Sequence, residues 1–555
     1  MTESLVVIVV ALVAIAAATV VAPRIGIAAP LVLVTIGVVA SFLPVFESVY
    51  IEPEWILAGI LPPLLYSSAV SMPAMNFRRE FGAISGLSVV LVVGSALLLG
   101  LFFMLALPGL GFAWGVALGA IVSPTDAVAT SIIKRTTVSK RVVAILDGES
   151  LLNDATALVL LRTAIVAAAA SFSFWGAVGT FAYSVAVAAV IGGLVARLNL
   201  EVRKRVTDST VNTVISFTVP FLAAVPAELL GASGLVAAVV AGLITGILAP
   251  RQLSAQNRLS DTQNWRTVEL VLEGAVFLTM GLQIKSIVTN VEEAHAGTGP
   301  AVLIAVGALL LTILVRAAYV GPLLAVLKSR SRHAEKLQVQ LQGMQEKFAV
   351  PEGTQEAFGD VNRRGRQPSE RDLQRFAVRV TRGLADIEYF RRQPLGWREG
   401  TVVVWAGMRG AVTVAAAQSL PEDTPQRSVL VLIAFTVAAL SLLVQGGTVG
   451  PLVRRLTPPT GAAATGGQEN DERARIIAIM RASADSVGEL RRPEGEPTPA
   501  DLRESQAHLL TVLAAQRTAL LDARDNGTFD ADVLANALAN LDASQIAIEM
   551  RGGPH

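Results

Sequence analysis

The sequence predicts an all-helical polytopic membrane protein with thirteen spanning helices, and three observations carry that expectation. Of its 555 residues, 53% are hydrophobic and 16% charged, and the mean hydropathy is +0.57, too apolar for a soluble protein of this size. The apolar residues fall into long runs of about 20, the length that crosses a bilayer. Basic residues gather on every second connection, as they do where each apolar run spans.

Taken in order, the runs are 5–22, 27–45, 54–71, 82–107, 112–133, 141–168, 173–198, 209–229, 231–249, 265–288, 300–327, 400–418 and 426–455. The first lacks a basic leader and is long enough to span, so it reads as a helix rather than a cleaved signal. Basic residues follow the odd-numbered runs: Arg24; Arg78 and Arg79; Lys134, Arg135, Lys140 and Arg141; Arg203, Lys204 and Arg205; Arg251 and Arg258; Lys328, Arg330 and Arg332; Arg454 and Arg455. The other connections, among them FESVYIEPE, NVEEAHAG and PEDTPQ, are acidic or neutral. In the cell membrane this pattern puts the N-terminus outside and the C-terminus in the cytoplasm. An even number of helices would need one alternation to fail.

Two stretches read as soluble. Residues 328–399 form a polar insertion on the cytoplasmic side, with helix-like runs at 333–348 and 369–392. Residues 1–456 otherwise make up the membrane domain, and 457–555 a cytoplasmic helical tail. The tail opens on TPPTGAAATGGQEN, a linker composition, and continues with helical patterns at 470–491, 499–525 and 530–548. Its stripe of Leu509, Leu510, Val512, Leu513, Leu520 and Leu521 favours self-packing or a dimer contact over a regulatory sensor. The chain has no Cys, which excludes disulfides and thiolate metal sites, and a net charge of +1 gives no sign of a nucleic-acid partner.

The chemistry concentrates in GESLLNDATALVL, residues 148–160, where polar side chains interrupt an apolar run. A carboxylate at membrane depth is costly and by default marks an ion path. On a helix, Asp147, Ser150 and Asp154 share one face, while Glu149 and Asn153 pair at i, i+4 on another. A hydroxyl and a carboxylate one turn apart supply the hard oxygen ligands that a small cation needs when it sheds water. Helix-to-helix hydrogen bonding is the plainer reading of Ser150 or Asn153 alone, but a poor one for Asp154. Upstream, AIVSPTDAVAT sets Thr125 and Asp126 behind Pro124, which removes a backbone bond and should break the helix there. Irregular backbone at that depth is tolerated where it lines a cavity, as at transporter ion sites.

Two basic residues lie in apolar runs, Arg316 in LLTILVRAAYVGPLL and Arg409 in VVVWAGMRGAVTVAAA. A buried guanidinium needs a partner, and Glu149 is the natural one for Arg316. Arg409 sits in a glycine-bracketed segment, Gly407 to Gly410, that could unwind and set its charge opposite the Pro124 break. Glu273 in ELVLEGAVFLTMGL is a further acid, either lining a funnel or lying at a helix end.

PTDAVA, GESLLND, LEGAVFLTMGLQ and GMRGAV, in this order and spacing, resemble the sodium/proton antiporters of the cation/proton antiporter superfamily, in the branch with an Asn-Asp pair. The resemblance covers residues 1–456, and the segment 518–552 resembles the tails of bacterial members. It implies a homodimer and an inverted-repeat fold, with a six-helix core moving against a dimerisation panel and two broken helices, 112–133 and 400–418, crossing in the core. Carried over by position, Asp154 binds cation and proton, and Asp126, Ser150 and Thr125 complete a Na+ site. Glu149 pairs with Arg316, Asn153 steadies the site, and the Asn-Asp pair implies electroneutral exchange. The family often has Glu where this chain has Asp147 and Asn where it has Glu273, which puts the local charge balance in doubt.

The expected function is therefore exchange of a monovalent cation, Na+ ahead of Li+ or K+, for H+ across the membrane. One carboxylate that must be either protonated or cation-loaded needs no ATP, no cofactor and no enzymatic step. The alternatives are a cation channel, in which the acids form a selectivity ring, and a sodium-coupled solute symporter, which would want a larger polar pocket. The histidines, His295, His333, His508 and His555, fall in loops or the tail and offer the core no imidazole switch.

Overall fold

The computed structural model describes residues 2–24, 27–44, 52–134, 136, 138–169, 174–293, 297–347, 369–456, 461–488 and 498–551. The described residues are almost entirely helical, and nine of their helices are long and apolar enough to cross a membrane. The chain divides into two compact units: residues 1–252, 260–321 and 397–458, and residues 253–259, 322–396 and 459–555.

In the first unit, α1 (Thr2–Val21) and α2 (Ala29–Ala40) come first, followed by a widened π-type turn at Trp55–Ile60 that feeds α3 (Leu61–Ser71). Pro62 and Pro63 open α3 without amide protons, which frees carbonyls in the turn before them and accounts for its widening. A single rod then runs from Ala74 to Ala106: α4 (Ala74–Ser85), a π turn at Gly86–Leu91 and α5 (Val92–Ala106). The fifth apolar run splits as the sequence predicts, into α6 (Phe112–Val122) and α7 (Val128–Ile133) around Pro124. Next come α8 (Lys140–Ala169), α9 (Phe174–Arg203), α10 (Ser209–Leu229), capped by the Asp208 side chain, and α11 (Gly234–Gln252).

The tenth run is carried by α12 (Ala255–Leu282) and α13 (Ile284–Glu293), and the eleventh by α14 (Thr298–Lys347). The sequence places a boundary after residue 327, yet α14 continues for 50 residues and takes in the first run of the insertion. Residues 323–342 contain no Gly or Pro, so nothing stops the helix when its composition turns polar. His333 accordingly lies within a helix rather than a loop. The second run of the insertion is α15 (Glu370–Arg392), opened by a Ser369–Asp372 capping box, and the loop between lies outside the described residues. The twelfth run splits into α16 (Trp397–Trp405) and α17 (Ala411–Gln418). The thirteenth is α18 (Arg427–Ser441), a π turn at Leu442–Gly446 and α19 (Gly447–Leu456).

Small residues bring these helices together, as expected where lipid supplies no hydrophobic drive between them. A Cβ at Gly115 or Gly119 of α6 would lie 2.4 Å from the Gly100 or Ala96 carbonyl of α5. At the same four-residue spacing, Gly242 and Gly246 of α11 lie against the Tyr66 and Val70 carbonyls of α3. The helices α4, α5, α6 and α8 thus pack as one group, and α3, α9, α10 and α11 as another.

In the second unit, α20 (Gly461–Asp485), α21 (Pro499–Asn526) and α22 (Ala531–Arg551) enclose a small core of Ile476, Leu520, Phe529, Val533, Leu534 and Leu541. The stretch read as a linker is helical from Gly461, where Ala462–Ala464 supply strong helix formers. Of the leucine stripe, Leu520 and Leu521 are buried and Leu513 packs beside the core, whereas Leu509 is exposed. Self-packing therefore takes up its C-terminal part.

Candidate cation site at the helix crossing

The site begins where the two broken helices meet. Pro124 ends α6 and Gly407–Gly410 ends α16, and the freed backbone groups find each other: the Asp126 amide donates to the Met408 carbonyl at 2.7 Å. The C-terminal ends of α6 and α16 converge on Arg409, which is 2% exposed. Its Nε donates to the Val122 carbonyl at 2.9 Å, its Nη2 to the Ser123 carbonyl at 3.3 Å and its Nη1 to the Gly407 carbonyl. Its charge is thus met by carbonyl dipoles at two helix ends, where a cation is favoured.

The Asp126 carboxylate lies on the other side of the crossing. Its Oδ1 accepts the Val128 amide at 3.0 Å, and it rests against the Cα of Gly410, where an added Cβ would fall 1.4 Å from Oδ2. Glycine is therefore required at 410 for lack of space. Gly410→Ala should displace the Asp126 carboxylate and slow cation-dependent proton flux about tenfold or more while the protein still folds; unchanged flux in liposomes would contradict this placement.

α8 faces the crossing with two sets of side chains, divided as helical periodicity predicts. Asp147, Ser150 and Asp154 line a cavity, together with Thr125, Asp126, Glu269 and Glu273. Its volume is about 270 Å³. Ser150 Oγ donates to the Asp147 carbonyl at 3.0 Å, and the Asp147 carboxylate pairs with Lys134 at 2.9 Å. Asp154 and Glu273 make no hydrogen bond or ion pair among the described residues, so their carboxylates remain available to the cavity. Beyond Asp154 the space narrows to about 10 Å³ among Ile121, Leu158, Leu161, Val412 and Ala416, at most room for a single water molecule. Lys134 and Asp147 line the same cavity as the acids.

The second set is sealed from the cavity. Glu149 and Asn153 are 1% and 0% exposed. Arg316 donates from Nη2 to Glu149 Oε2 at 2.7 Å and from Nη1 to Oε1, and its Nε bonds the Val403 carbonyl at 2.9 Å. Asn153 Nδ2 donates to both the carbonyl and the hydroxyl of Thr125, each at 2.8 Å, and the Thr125 hydroxyl donates to Glu149 Oε1 at 3.1 Å. The unwound stretch after Pro124 is thereby tied to α8 and, through Arg316, to α14. Gly407 makes room for that guanidinium, since a Cβ there would meet Arg316 at 2.7 Å.

One cavity acid escaped the reading of the sequence. Glu269 lies four residues before Glu273 on α12 and accepts a hydrogen bond from Ser67 Oγ of α3 at 3.1 Å. The signal was its i, i+4 spacing from Glu273.

The transmembrane sodium/hydrogen exchanger model matches residues 8–346 and 375–455. The chain belongs to the sodium/hydrogen exchanger family. The exchanger is 26% identical over 468 residues to an uncharacterized Na(+)/H(+) exchanger of Mycobacterium tuberculosis, covering 83% of this chain and 76% of that protein. It is 29% identical over 269 residues to the sodium, potassium, lithium and rubidium/H(+) antiporter of Bacillus subtilis, covering 47% of this chain and 40% of that protein. Its fold matches the sodium proton antiporter MjNhaP1 of Methanocaldococcus jannaschii at a TM-score of 0.55 and 15% identity, covering 82% of this chain and 99% of that one. The exchanger is thus a multi-pass cation/proton antiporter of the membrane and not an enzyme.

Proposed function

We propose that the exchanger carries Na+ one for one against H+ by alternating access at Asp154, with Asp126, Ser150 and Thr125 as the other oxygen ligands. The observation that carries this reading is the cavity that brings Asp126, Ser150 and Asp154 together, with the space beyond Asp154 narrowing among Leu158, Leu161, Val412 and Ala416. A carboxylate reachable from one side at a time can exchange its load without opening a continuous pore. In this reading Asn153 adds no charge of its own, so one carboxylate releases one proton for each cation taken, and the exchange is electroneutral. Glu149 with Arg316, Asn153 and Arg409 serve as the frame. Glu273 and Glu269 draw cations along the cavity wall, since acids in a cleft with low-dielectric walls raise the local cation concentration.

Hard oxygen ligands alone discriminate weakly among alkali cations, and the Bacillus subtilis relative is named for four of them. Na+ is favoured here with Li+ and K+ as competitors. The reading also includes a homodimer with the N-terminus outside and the tail in the cytoplasm.

Purified protein in liposomes with an imposed pH gradient should collapse the gradient on addition of Na+ or Li+, at a saturable rate that does not change when the membrane potential is clamped. A rate that follows the potential would refute one-for-one exchange. Single-channel currents would refute alternating access altogether.

A further inference from the structure

The break between α16 and α17 leaves the chain from Trp405 to Gly410 outside regular helix, and each backbone group freed there needs a partner at membrane depth. Several find one close by. The Ala406 amide donates to the Val402 carbonyl at 2.8 Å, the Gly407 amide to the Val404 carbonyl at 3.4 Å and the Met408 amide to the Ala406 carbonyl at 2.8 Å, while the Met408 carbonyl takes the Asp126 amide. Two groups reach further. The Arg409 amide and the Trp405 carbonyl are both met by one pair of side chains, Ser441 at the end of α18 and Gln445 in the π turn that follows it.

The Arg409 amide donates to Ser441 Oγ at 3.0 Å, Ser441 Oγ donates to Gln445 Oε1 at 2.5 Å, and Gln445 Nε2 donates to the Trp405 carbonyl at 3.1 Å. Both side chains are 0% exposed. The relay runs in one direction. A backbone N–H can only donate, so Ser441 accepts it and passes its own proton to Gln445 Oε1, which turns the amide nitrogen toward Trp405. Buried hydrogen bonds in series polarise one another, and losing one member leaves its neighbours unpaired in a low dielectric. The relay grips the break at both edges, residue 405 where α16 ends and residue 409 before α17 begins. Met408 lies between those points and Gly410 directly after them, and these two residues hold the Asp126 amide and support its carboxylate.

We propose that Ser441 and Gln445 are positioning residues for cation binding. They act through the unwound segment: the relay sets its shape, and the segment sets where the Asp126 carboxylate stands. This role rests on the reading of Asp126 as a cation ligand. A widened turn supplies half of the relay, in keeping with the recurrence of π turns at functional sites.

Proton flux in liposomes, measured over a range of Na+ concentrations, tests this. Ser441→Ala should raise the Na+ concentration for half-maximal flux about tenfold, the scale of one lost hydrogen bond, with a much smaller change in the maximal rate. Gln445→Met should shift it in the same direction. Thr448→Val is the control: it removes the 2.8 Å bond from the Trp405 indole, which joins α16 to α19 without touching the backbone of the break, and it should keep the parent's half-maximal concentration. Parent values in Ser441→Ala and Gln445→Met, or an equal shift in Thr448→Val, would overturn the proposal. Asp126→Asn in the same assay separates the two readings. If it behaves as the parent, the ligand assignment fails and the positioning role with it; a severe loss there, beside parent values in the Ser441 and Gln445 variants, overturns the positioning role alone. If Ser441→Ala does not fold, Gln445→Met compared with Thr448→Val decides.

Discussion

Asp154→Asn abolishes cation-driven proton flux while leaving the protein folded: this is the expected result with the largest effect on activity. The amide keeps the shape of the side chain but can neither hold an exchangeable proton nor balance a cation's charge. Asp154 makes no hydrogen bond or ion pair among the described residues, so the substitution breaks no contact on which the fold depends. The measurement is collapse of an imposed pH gradient by Na+ or Li+ in liposomes, alongside a thermal melt of the same preparation. Retained exchange would overturn the assignment of the carrier acid. Asp126→Asn should also impair flux severely, but by a different route. Its Oδ1 caps the backbone at Val128, and its other oxygen rests on Gly410, so the amide would disturb ligand geometry together with charge.

The second large effect falls on stability. Glu149→Gln leaves the Arg316 guanidinium buried at 2% exposure with no carboxylate to meet it. Removing one member of a buried pair costs roughly 3–5 kcal/mol, because the surviving charge is uncompensated. Against a total stability of about 5–15 kcal/mol for a typical domain, that is a large fraction. The expected outcome is a clearly lowered melting temperature in detergent, with part of the loss recovered in the double variant Glu149→Gln/Arg316→Met, which removes the stranded charge. A melting temperature equal to the parent's would show that the pair does not hold α8 to α14.

The features legible in the sequence were those written within one segment. Pro124 in an apolar run announced the break between α6 and α7, and Gly407 and Gly410 the break between α16 and α17. The i, i+3 and i, i+4 offsets around Ser150 correctly separated the cavity face of α8 from the face carrying Glu149 and Asn153. Contacts between distant segments were not legible in that way. Arg409 was expected to sit opposite the Pro124 break, but nothing in GMRG reveals that its ligands are three carbonyls, two of them more than 280 residues away. The need for glycine at 410 likewise arises only once Asp126 is placed against it. Helix ends failed where composition changed without a breaker, as in α14, because hydropathy marks the edge of the lipid and not the end of a helix.

The way Arg409 is held has a consequence for how the site can be emptied and refilled. Among the described residues, every hydrogen bond of its guanidinium goes to a backbone carbonyl, and none goes to Asp126 or Asp154. Protonating or loading those acids therefore unmakes none of its bonds. In the proposed exchange the cargo is handled by one set of charges and the joint between the broken helices is riveted by another, which would let the crossing travel as a single rigid piece whether it carries a cation or a proton.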